Sequence, residues 1–372
     1  MKTVAVVYGT RPEAIKFAPV VVELRKIQGI RTVVICTGQH KEMLEGIMEL
    51  WDLTPDMTLM YDFDSGRSSA IPGLMIELEK EFLKLLPDFV LVQGDTATAA
   101  AAALQAHALH IPVGHIEAGL RSGDLWNPWP EEANRKMIDA ISSLHFAPTE
   151  LSADNLYAEN FKDSVFVTGN TIVDSLNHVV KKLEAREEIR NDLQLLLGFQ
   201  LEEPFILFTQ HRREGFGYGQ EQVFQAILEL AHLGIRTVMP VHMNPQVRKK
   251  VEEKFLGVPN ISLIEPQGYL SFVELLRMSA LVISDSGGLQ EEVPSLGKII
   301  LITRLTTERP EVMASGHGVL VGFDTAKLVE EALRAVNADI SSLSGPNPFG
   351  DGQSSRRIAQ ILSEQVRLLE FK

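Results

Sequence analysis

Gly114 to Arg135, GHIEAGLRSGDLWNPWPEEANR, draws together the groups most able to move protons in this sequence. His115, Glu117, Arg121, Asp124, Glu131, Glu132 and Arg135 alternate there with two tryptophans and two prolines. Buried aromatics and fixed φ angles would hold such side chains in set directions. Carboxylates held that stiffly suit acid–base chemistry. The same residues also fit a salt-bridged loop over a helix N-terminus.

Further polar segments follow apolar runs. Gly9–Lys16, GTRPEAIK, has a glycine for a tight turn and a proline at the start of a helix. Arg11 and Lys16 beside that helix N-terminus suit an anion, and an ordinary capped helix is the alternative. Asp95, in Gln93-Gly94-Asp95-Thr96, either caps the Ala-rich helix behind it or handles protons at a strand's carboxyl end. Ser284–Glu292, SDSGGLQEE, runs from strand through Gly-Gly into helix, which turns several backbone N–H groups toward a phosphate. A serine nucleophile is a poor reading of it in an α/β protein. Glu292, one turn into the helix, suits ribose hydroxyls. His211, Arg212 and Arg213 supply positive charge of the kind a pyrophosphate requires. The glycines after them lack the G-x-G-x-x-G spacing of a dinucleotide loop. Asp62-Phe63-Asp64 is too slight for a metal site, and His242 is either functional or a satisfied histidine at a strand end.

Such groups need a scaffold that presents them together. Near-continuous apolar runs at Val4–Tyr8, Thr32–Thr37, Phe89–Val92, Ile111–His115 and Val165–Thr168 read as strands covered on both faces. Helical windows lie around Glu13–Ile27, Glu42–Trp51, Ile71–Leu86, Thr96–Leu109, Glu131–Ile141 and Leu151–Ala158. A charged, Leu-rich stretch, Ile172–Leu201, leads into a second series. Its strands are expected at Phe205–Thr209, Thr237–Val241, Ile261–Ile264, Leu281–Ser284, Ile299–Thr303 and Val319–Val321. Helices fill the gaps between them, and an amphipathic helix runs from about Ser354 to Leu369.

This alternation predicts an α/β protein of two Rossmann-like, doubly wound domains facing across a cleft, with the active site at the carboxyl ends of the strands. The expected bounds are 1–172, 173–355 and a C-terminal helix, 356–372, packing back on the first domain. A length of 372 residues agrees with two domains. The net charge of −14 argues against nucleic acid and anionic membranes. One cysteine, Cys36, excludes an internal disulfide and a Cys-based zinc site, and with no transmembrane-length window it points to the cytoplasm.

Taken together, GTRPEAIK, QGDT, PVGHIEAGLRSGD, PWPEEANR, FAPTE, VTGNTIVDSL, HRREGFG, PVHMNP, SDSGGLQEEVPSLGK, TTERPE and NPFGDG closely resemble the non-hydrolysing UDP-N-acetylglucosamine 2-epimerases, in family order over nearly the whole chain. The resemblance implies a glycosyltransferase-B type fold, a cytoplasmic homodimer, and no metal or nicotinamide cofactor. It implies UDP-N-acetylglucosamine as substrate, interconverted with UDP-N-acetylmannosamine through loss of UDP, a glycal intermediate and re-addition, for surface polysaccharide synthesis. By match to the family's motifs, Asp95, Glu117, Glu131 and His211 are catalytic. Arg11, Lys16, Gln267, Phe272, Ser286, Gly287, Gly288, Glu292 and Arg309 bind UDP, with Gln267 and Phe272 on uracil and Arg309 on phosphate. Gln39, Glu132, Arg212 and His242 match parts of a second UDP-N-acetylglucosamine site that activates many bacterial members. The chain departs from the family's pattern at Tyr61–Gly73, Glu42 and Leu305. Alternatives are a hydrolysing epimerase releasing N-acetylmannosamine, a UDP-sugar glycosyltransferase of the same fold, and a non-catalytic sugar-nucleotide sensor.

Overall fold

The computed structural model describes residues 1–39, 50–63, 70–210, 217–241, 245–336 and 346–368. The chain divides into two compact units, Met1–Ser175 with Phe349–Lys372, and Leu176–Pro348. Both are Rossmann-like α/β domains built on parallel sheets.

In the first unit a seven-stranded sheet has the order β3-β2-β1-β4-β5-β6-β7. The strands are β1 (Lys2–Tyr8), β2 (Ile30–Cys36), β3 (Met57–Thr58), β4 (Phe89–Gln93), β5 (Val113–Ile116), β6 (Leu144–Ala147) and β7 (Val165–Val167). Helices α1 (Arg11–Arg25), α2 (Ile71–Leu85), α3 (Ala97–Ala108), α4 (Glu131–Ile141) and α5 (Glu150–Ala158) alternate with these parallel strands. Order reverses between β1 and β4, the switch point where such sheets bind ligands. Alanines 99–103 of α3 are fully buried, which lets that helix lie close to the sheet and to α2 and α4.

Two of these strands were not expected. β3 has only two residues, too few for a period to register. β6 carries His145 at its centre, yet all four residues are buried because the ring is satisfied: Nε2 meets the Asp139 carbonyl at 2.8 Å and Nδ1 meets Ser164 Oγ at 3.0 Å.

In the second unit a six-stranded sheet, β10-β9-β8-β11-β12-β13, reverses between β8 and β11. Its strands are β8 (Phe205–Thr209), β9 (Arg236–Pro240), β10 (Ile261–Ile264), β11 (Leu281–Ser284), β12 (Ile300–Ile302) and β13 (Gly318–Leu320). Around them lie α7 (Glu187–Leu197), α8 (Tyr218–His232), α9 (Pro245–Phe255), α10 (Tyr269–Met278), α11 (Gly287–Glu292), α12 (Glu311–Ala314) and α13 (Thr325–Val336). Phe208, Phe224 and Phe255 stack edge to face inside this core.

The charged, Leu-rich stretch forms two helices, α6 (Thr171–Leu183) and α7, and the boundary between units falls inside α6. The return crossing comes at Phe349, earlier than the 355 expected from sequence. Phe349 is fully buried and its carbonyl accepts from Asn170 N at 2.6 Å, which ties this turn to the first unit. The last helix, α14 (Ser354–Leu368), packs on α1, and Asp174 holds its start by accepting from Ser354 N and Ser355 N at 3.2 and 2.8 Å. Among the described residues, no helix is long and apolar enough to cross a membrane.

Candidate active site

Glu117 follows directly on β5 and adopts φ +68°, a left-handed conformation uncommon for a residue with a long side chain. Such a conformation costs free energy and persists where surrounding contacts over-determine it. Here they do. Glu117 is buried, and three donors converge on its carboxylate: Lys16 Nζ at 2.6 Å and Asn170 Nδ2 at 3.3 Å on Oε1, and Gln93 Nε2 at 2.6 Å on Oε2. The donors come from α1, the turn after β7 and the end of β4, so the sheet's carboxyl edge assembles this group. Three donors on one buried carboxylate favour its ionised form.

Asp95 does not cap α3. That place belongs to Thr96, whose hydroxyl accepts from Ala99 N at 3.0 Å. The Asp95 carboxylate instead meets Arg135 Nη2 at 2.5 Å, and Asn134 Nδ2 donates to its carbonyl at 2.8 Å. Its side chain keeps 26% exposure, so it is anchored and still reachable from solvent. Glu131 opens α4, where negative charge interacts favourably with the helix dipole. Its Oε2 is buried without a hydrogen-bond partner among the described residues. A buried carboxylate oxygen left unbonded by the protein is costly unless another group engages it.

The rigidity of the Gly114–Arg135 segment has a different source from the one its composition suggests. Trp126 and Trp129 are 78% and 62% exposed, so buried aromatics do not hold it. Glu132 does. It is fully buried and accepts from Ser122 N at 3.0 Å, Gly123 N at 3.3 Å and Arg135 Nη1 at 3.1 Å. Asp124 Oδ1 adds a bond from Trp126 N at 2.9 Å. Glu132 is therefore a brace for the loop.

Behind these acids lies a buried charged cluster. His115 Nδ1 is 2.6 Å from Asp139 Oδ1, and His115 Nε2 is 2.8 Å from the Gly94 carbonyl. Arg121 Nη2 reaches Asp139 Oδ2 and Glu159 Oε2, each at 2.7 Å. Burial pushes the Asp139 carboxyl up, but the positive charges of His115 and Arg121 outweigh it and hold it at about 2. Hydrogen bonding from Arg121 likewise draws Glu159 down to about 2.

At the start of α1, Glu13 forms a capping box with Thr10, accepting from Thr10 N at 2.7 Å, and also bonds Gly9 N at 3.0 Å and Thr96 Oγ1 at 2.5 Å. Burial pushes its carboxyl up despite these donors. Gly9 is needed for close approach rather than for a turn, because a Cβ there would collide with the hydroxyls of Thr37 and Thr98. Thr98 Oγ1 also lies 3.4 Å from Gln39 Oε1.

In the second unit, β11 ends at Ser284 and α11 begins at Gly287. Ser286 N donates to Ser284 Oγ at 2.9 Å, which bends the chain into the helix. Among the described residues, a Cβ on Gly288 would meet only Ser286 Oγ at 3.9 Å, so their packing leaves that space open. Glu292 is buried and takes the Tyr269 hydroxyl on Oε1 at 2.8 Å. Arg309, buried in the same unit, is paired by Nε to Glu291 Oε1 and by Nη1 to Glu308 Oε1, each at 2.6 Å, with Arg304 completing the network on Glu308 Oε2 at 2.9 Å. Its charge is thus largely balanced by protein carboxylates. Phe272 and Gln267 flank the start of α10, both half-buried, and Gln267 Nε2 donates to the Glu265 carbonyl at 2.7 Å.

The sequence model of one protein family, described as UDP-N-acetylglucosamine 2-epimerase, matches residues 22–363. The chain belongs to the UDP-N-acetylglucosamine 2-epimerase family. It is 43% identical to the UDP-N-acetylglucosamine 2-epimerase of Escherichia coli K12, over 96% of this chain and 98% of the relative. The structure of the Neisseria meningitidis UDP-GlcNAc 2-epimerase bound to UDP-GlcNAc aligns with a TM-score of 0.92 at 42% identity, covering 98% of this chain and 100% of that one. The Methanocaldococcus jannaschii UDP-GlcNAc 2-epimerase in complex with UDP-GlcNAc and UDP aligns with a TM-score of 0.85 at 35% identity, over 98% and 100% of the two chains.

Of this epimerase's expected site residues, the first unit gathers Arg11, Lys16, Asp95, Glu117 and Glu131 around the carboxyl ends of β1, β4 and β5. The second gathers Ser286, Gly287, Gly288 and Glu292 at the end of β11. His211, Arg212, Arg213 and His242 lie outside the described residues, as do Glu42 and Asp64. Sequence reasoning passed over the partners: Gln93 and Asn170 on Glu117, Arg135 on Asp95, and Tyr269 on Glu292. Gln93, Asn170 and Arg135 sit in quoted motifs and Tyr269 lies between Gln267 and Phe272, but only folding sets which donor meets which acid.

Proposed function

We propose that this protein interconverts UDP-N-acetylglucosamine and UDP-N-acetylmannosamine at C2 without net hydrolysis. The observation that carries the reading is the trio of acids at the first sheet's carboxyl edge, each held in a different state. Glu117 is clamped by three donors, Asp95 is anchored yet reachable, and Glu131 has a buried oxygen left unbonded among the described residues.

The C2 hydrogen of the sugar has no adjacent carbonyl, so enolisation does not acidify it. Breaking the anomeric C1–O bond develops positive charge on the ring and makes the C2 proton removable. A carboxylate takes that proton, the C–H electron pair becomes the C1–C2 double bond, and the C1–O pair leaves with the β-phosphate of UDP. In return an acid protonates C2 from the opposite face, and the β-phosphate oxygen re-attacks C1. Inversion therefore requires proton-handling groups on two faces of one sugar, which a set of acids in unlike environments supplies. Asp95, Glu117 and Glu131 are the proposed set, with His211 as a partner.

Nucleotide binding falls to the second unit. The open space over Gly288 supports a phosphate against the Ser286–Gly288 backbone N–H groups, and Glu292, oriented by Tyr269, supports a ribose diol. Gln267 and Phe272 are proposed for uracil, and Arg309 for the phosphate charge. We place the enzyme in the cytoplasm as a homodimer supplying surface polysaccharide synthesis, readings supported by family resemblance. A second UDP-N-acetylglucosamine acting as activator is proposed through Gln39, Glu132, Arg212 and His242.

Incubating the protein with UDP-N-acetylglucosamine and no acceptor tests the function. Intact UDP-N-acetylmannosamine is expected, carrying deuterium at C2 when the solvent is D₂O. Free N-acetylmannosamine would instead mark a hydrolysing enzyme, and unchanged substrate would overturn the epimerase reading.

A further inference from the structure

We propose that His115 is held as an imidazolium that positions the two catalytic turns, Gly94–Asp95 and Ile116–Glu117, against each other. The inference rests on the reading of Asp95 and Glu117 as catalytic acids and extends it to a residue that touches neither substrate nor reacting atom.

His115 is fully buried on β5, and each ring nitrogen faces an oxygen that only accepts, Asp139 Oδ1 at 2.6 Å and the Gly94 carbonyl at 2.8 Å. A neutral imidazole has one N–H and one lone pair. Either tautomer would aim that lone pair at an oxygen lone pair, and the ring itself is fully buried. Only the doubly protonated ring satisfies both contacts. One carboxylate, Asp139, then lies between two cations, with Arg121 Nη2 on its other oxygen at 2.7 Å and Gly119 N at 3.3 Å.

The other charged groups balance the count. Arg121 is shared with Glu159, which also takes Lys136 Nζ at 2.8 Å. His145, the register partner of His115 on β6, points Nε2 at the Asp139 carbonyl, and burial lowers its affinity for protons, so it stays neutral beside the charged ring. On the site side stand Asp95 and Glu117, whose own cations are Arg135 and Lys16.

The bond to the Gly94 carbonyl fixes the plane of the peptide that carries Asp95. Gly94 N in turn donates to the Ile116 carbonyl at 2.9 Å, immediately before Glu117. The ring thus joins the ends of β4 and β5, where the two acids leave the sheet. Without the Nε2 proton, the Gly94 carbonyl loses its ring donor, and among the described residues Asp95 is held from the α4 side alone, by Asn134 and Arg135.

Two measurements on the full-length protein test this. In ¹⁵N-histidine-labelled wild type at about pH 8, where ordinary histidines are neutral, the ring correlated with the His115 backbone should carry protons on both nitrogens. A bare nitrogen on that ring overturns the proposal. His115→Gln offers a single uncharged donor, and misplacement should lower kcat by roughly 100-fold with KM for UDP-N-acetylglucosamine within about twofold. A folded variant with wild-type kcat also overturns it. If that variant does not fold, the wild-type ring spectrum decides alone. Wild-type turnover is measured alongside: its absence would sink the epimerase reading, while the ring spectrum would still judge this one.

Discussion

At the scale of single residues, Glu117 and Glu131 are predicted to respond differently to the same change. Glu117 is the counter-charge of buried Lys16 and accepts from Gln93 and Asn170. Glu117→Gln removes that charge and turns an amide N–H toward existing donors, so it should destabilise the fold by roughly 3 kcal/mol as well as abolishing turnover. Glu131 Oε2 has no partner to lose among the described residues. Glu131→Gln should therefore lower kcat by at least about 100-fold with an unfolding midpoint close to wild type. Urea unfolding beside steady-state kinetics separates the two, and equal loss of stability in both variants would remove the distinction. Glutamates at 117 and 131 were visible as candidates in the sequence, but their unlike surroundings were not, because the donors on Glu117 come from positions 16, 93 and 170.

At the scale of elements, the loop before α4 and the start of α11 carry the clearest expectations. Glu132→Ala should cost at least about 2 kcal/mol, since it strands two backbone N–H groups and one contact of Arg135. Trp126→Ser should stay within about 0.5 kcal/mol of wild type, as exposed sites usually do. A larger effect of the tryptophan than of the glutamate would reverse our account of what stiffens the loop. Gly288→Ala meets little of the protein, so its melting temperature should not fall. The added methyl would still occupy the space over the helix start. If a phosphate sits there, losing one charge-assisted hydrogen bond, about 1.5–3 kcal/mol, raises Kd for UDP roughly ten- to hundredfold. Calorimetric titration with UDP reads this directly.

At the scale of the whole molecule, stability should be sensitive to acid through the cluster behind the site. Asp139 and Glu159 have ordinary values of 3.8 and 4.5 when unfolded and about 2 when folded. Their contribution is complete above about pH 4.5 and is lost as pH falls toward 2. His145, buried and neutral, is lowered from 6.5, so its contribution is also complete above that value and lost below it. Glu13 and Asp174 run the other way, because burial raises both. Arg121→Ala should move the acid-unfolding midpoint, followed by circular dichroism, to higher pH. An unchanged midpoint would show that Arg121 does not set the two carboxylates.

The sequence by itself determined the alternation of strands and helices, the two Rossmann-like domains, the family and the candidate acids. These depend on local periodicity and on short contiguous motifs, which survive without knowledge of distant partners. Tertiary structure decided the rest. It brought Lys16 to Glu117 across 101 positions and Arg135 to Asp95, withdrew Glu132 into the loop's scaffold, exposed the two tryptophans and returned Phe349 to the first unit. It also set His115 between two acceptors, a fact about through-space geometry that no spacing along the chain encodes. The physical reason is common to all of these. A side chain's protonation and direction follow from the few atoms within hydrogen-bond reach, and in a doubly wound sheet those atoms arrive from separate strands.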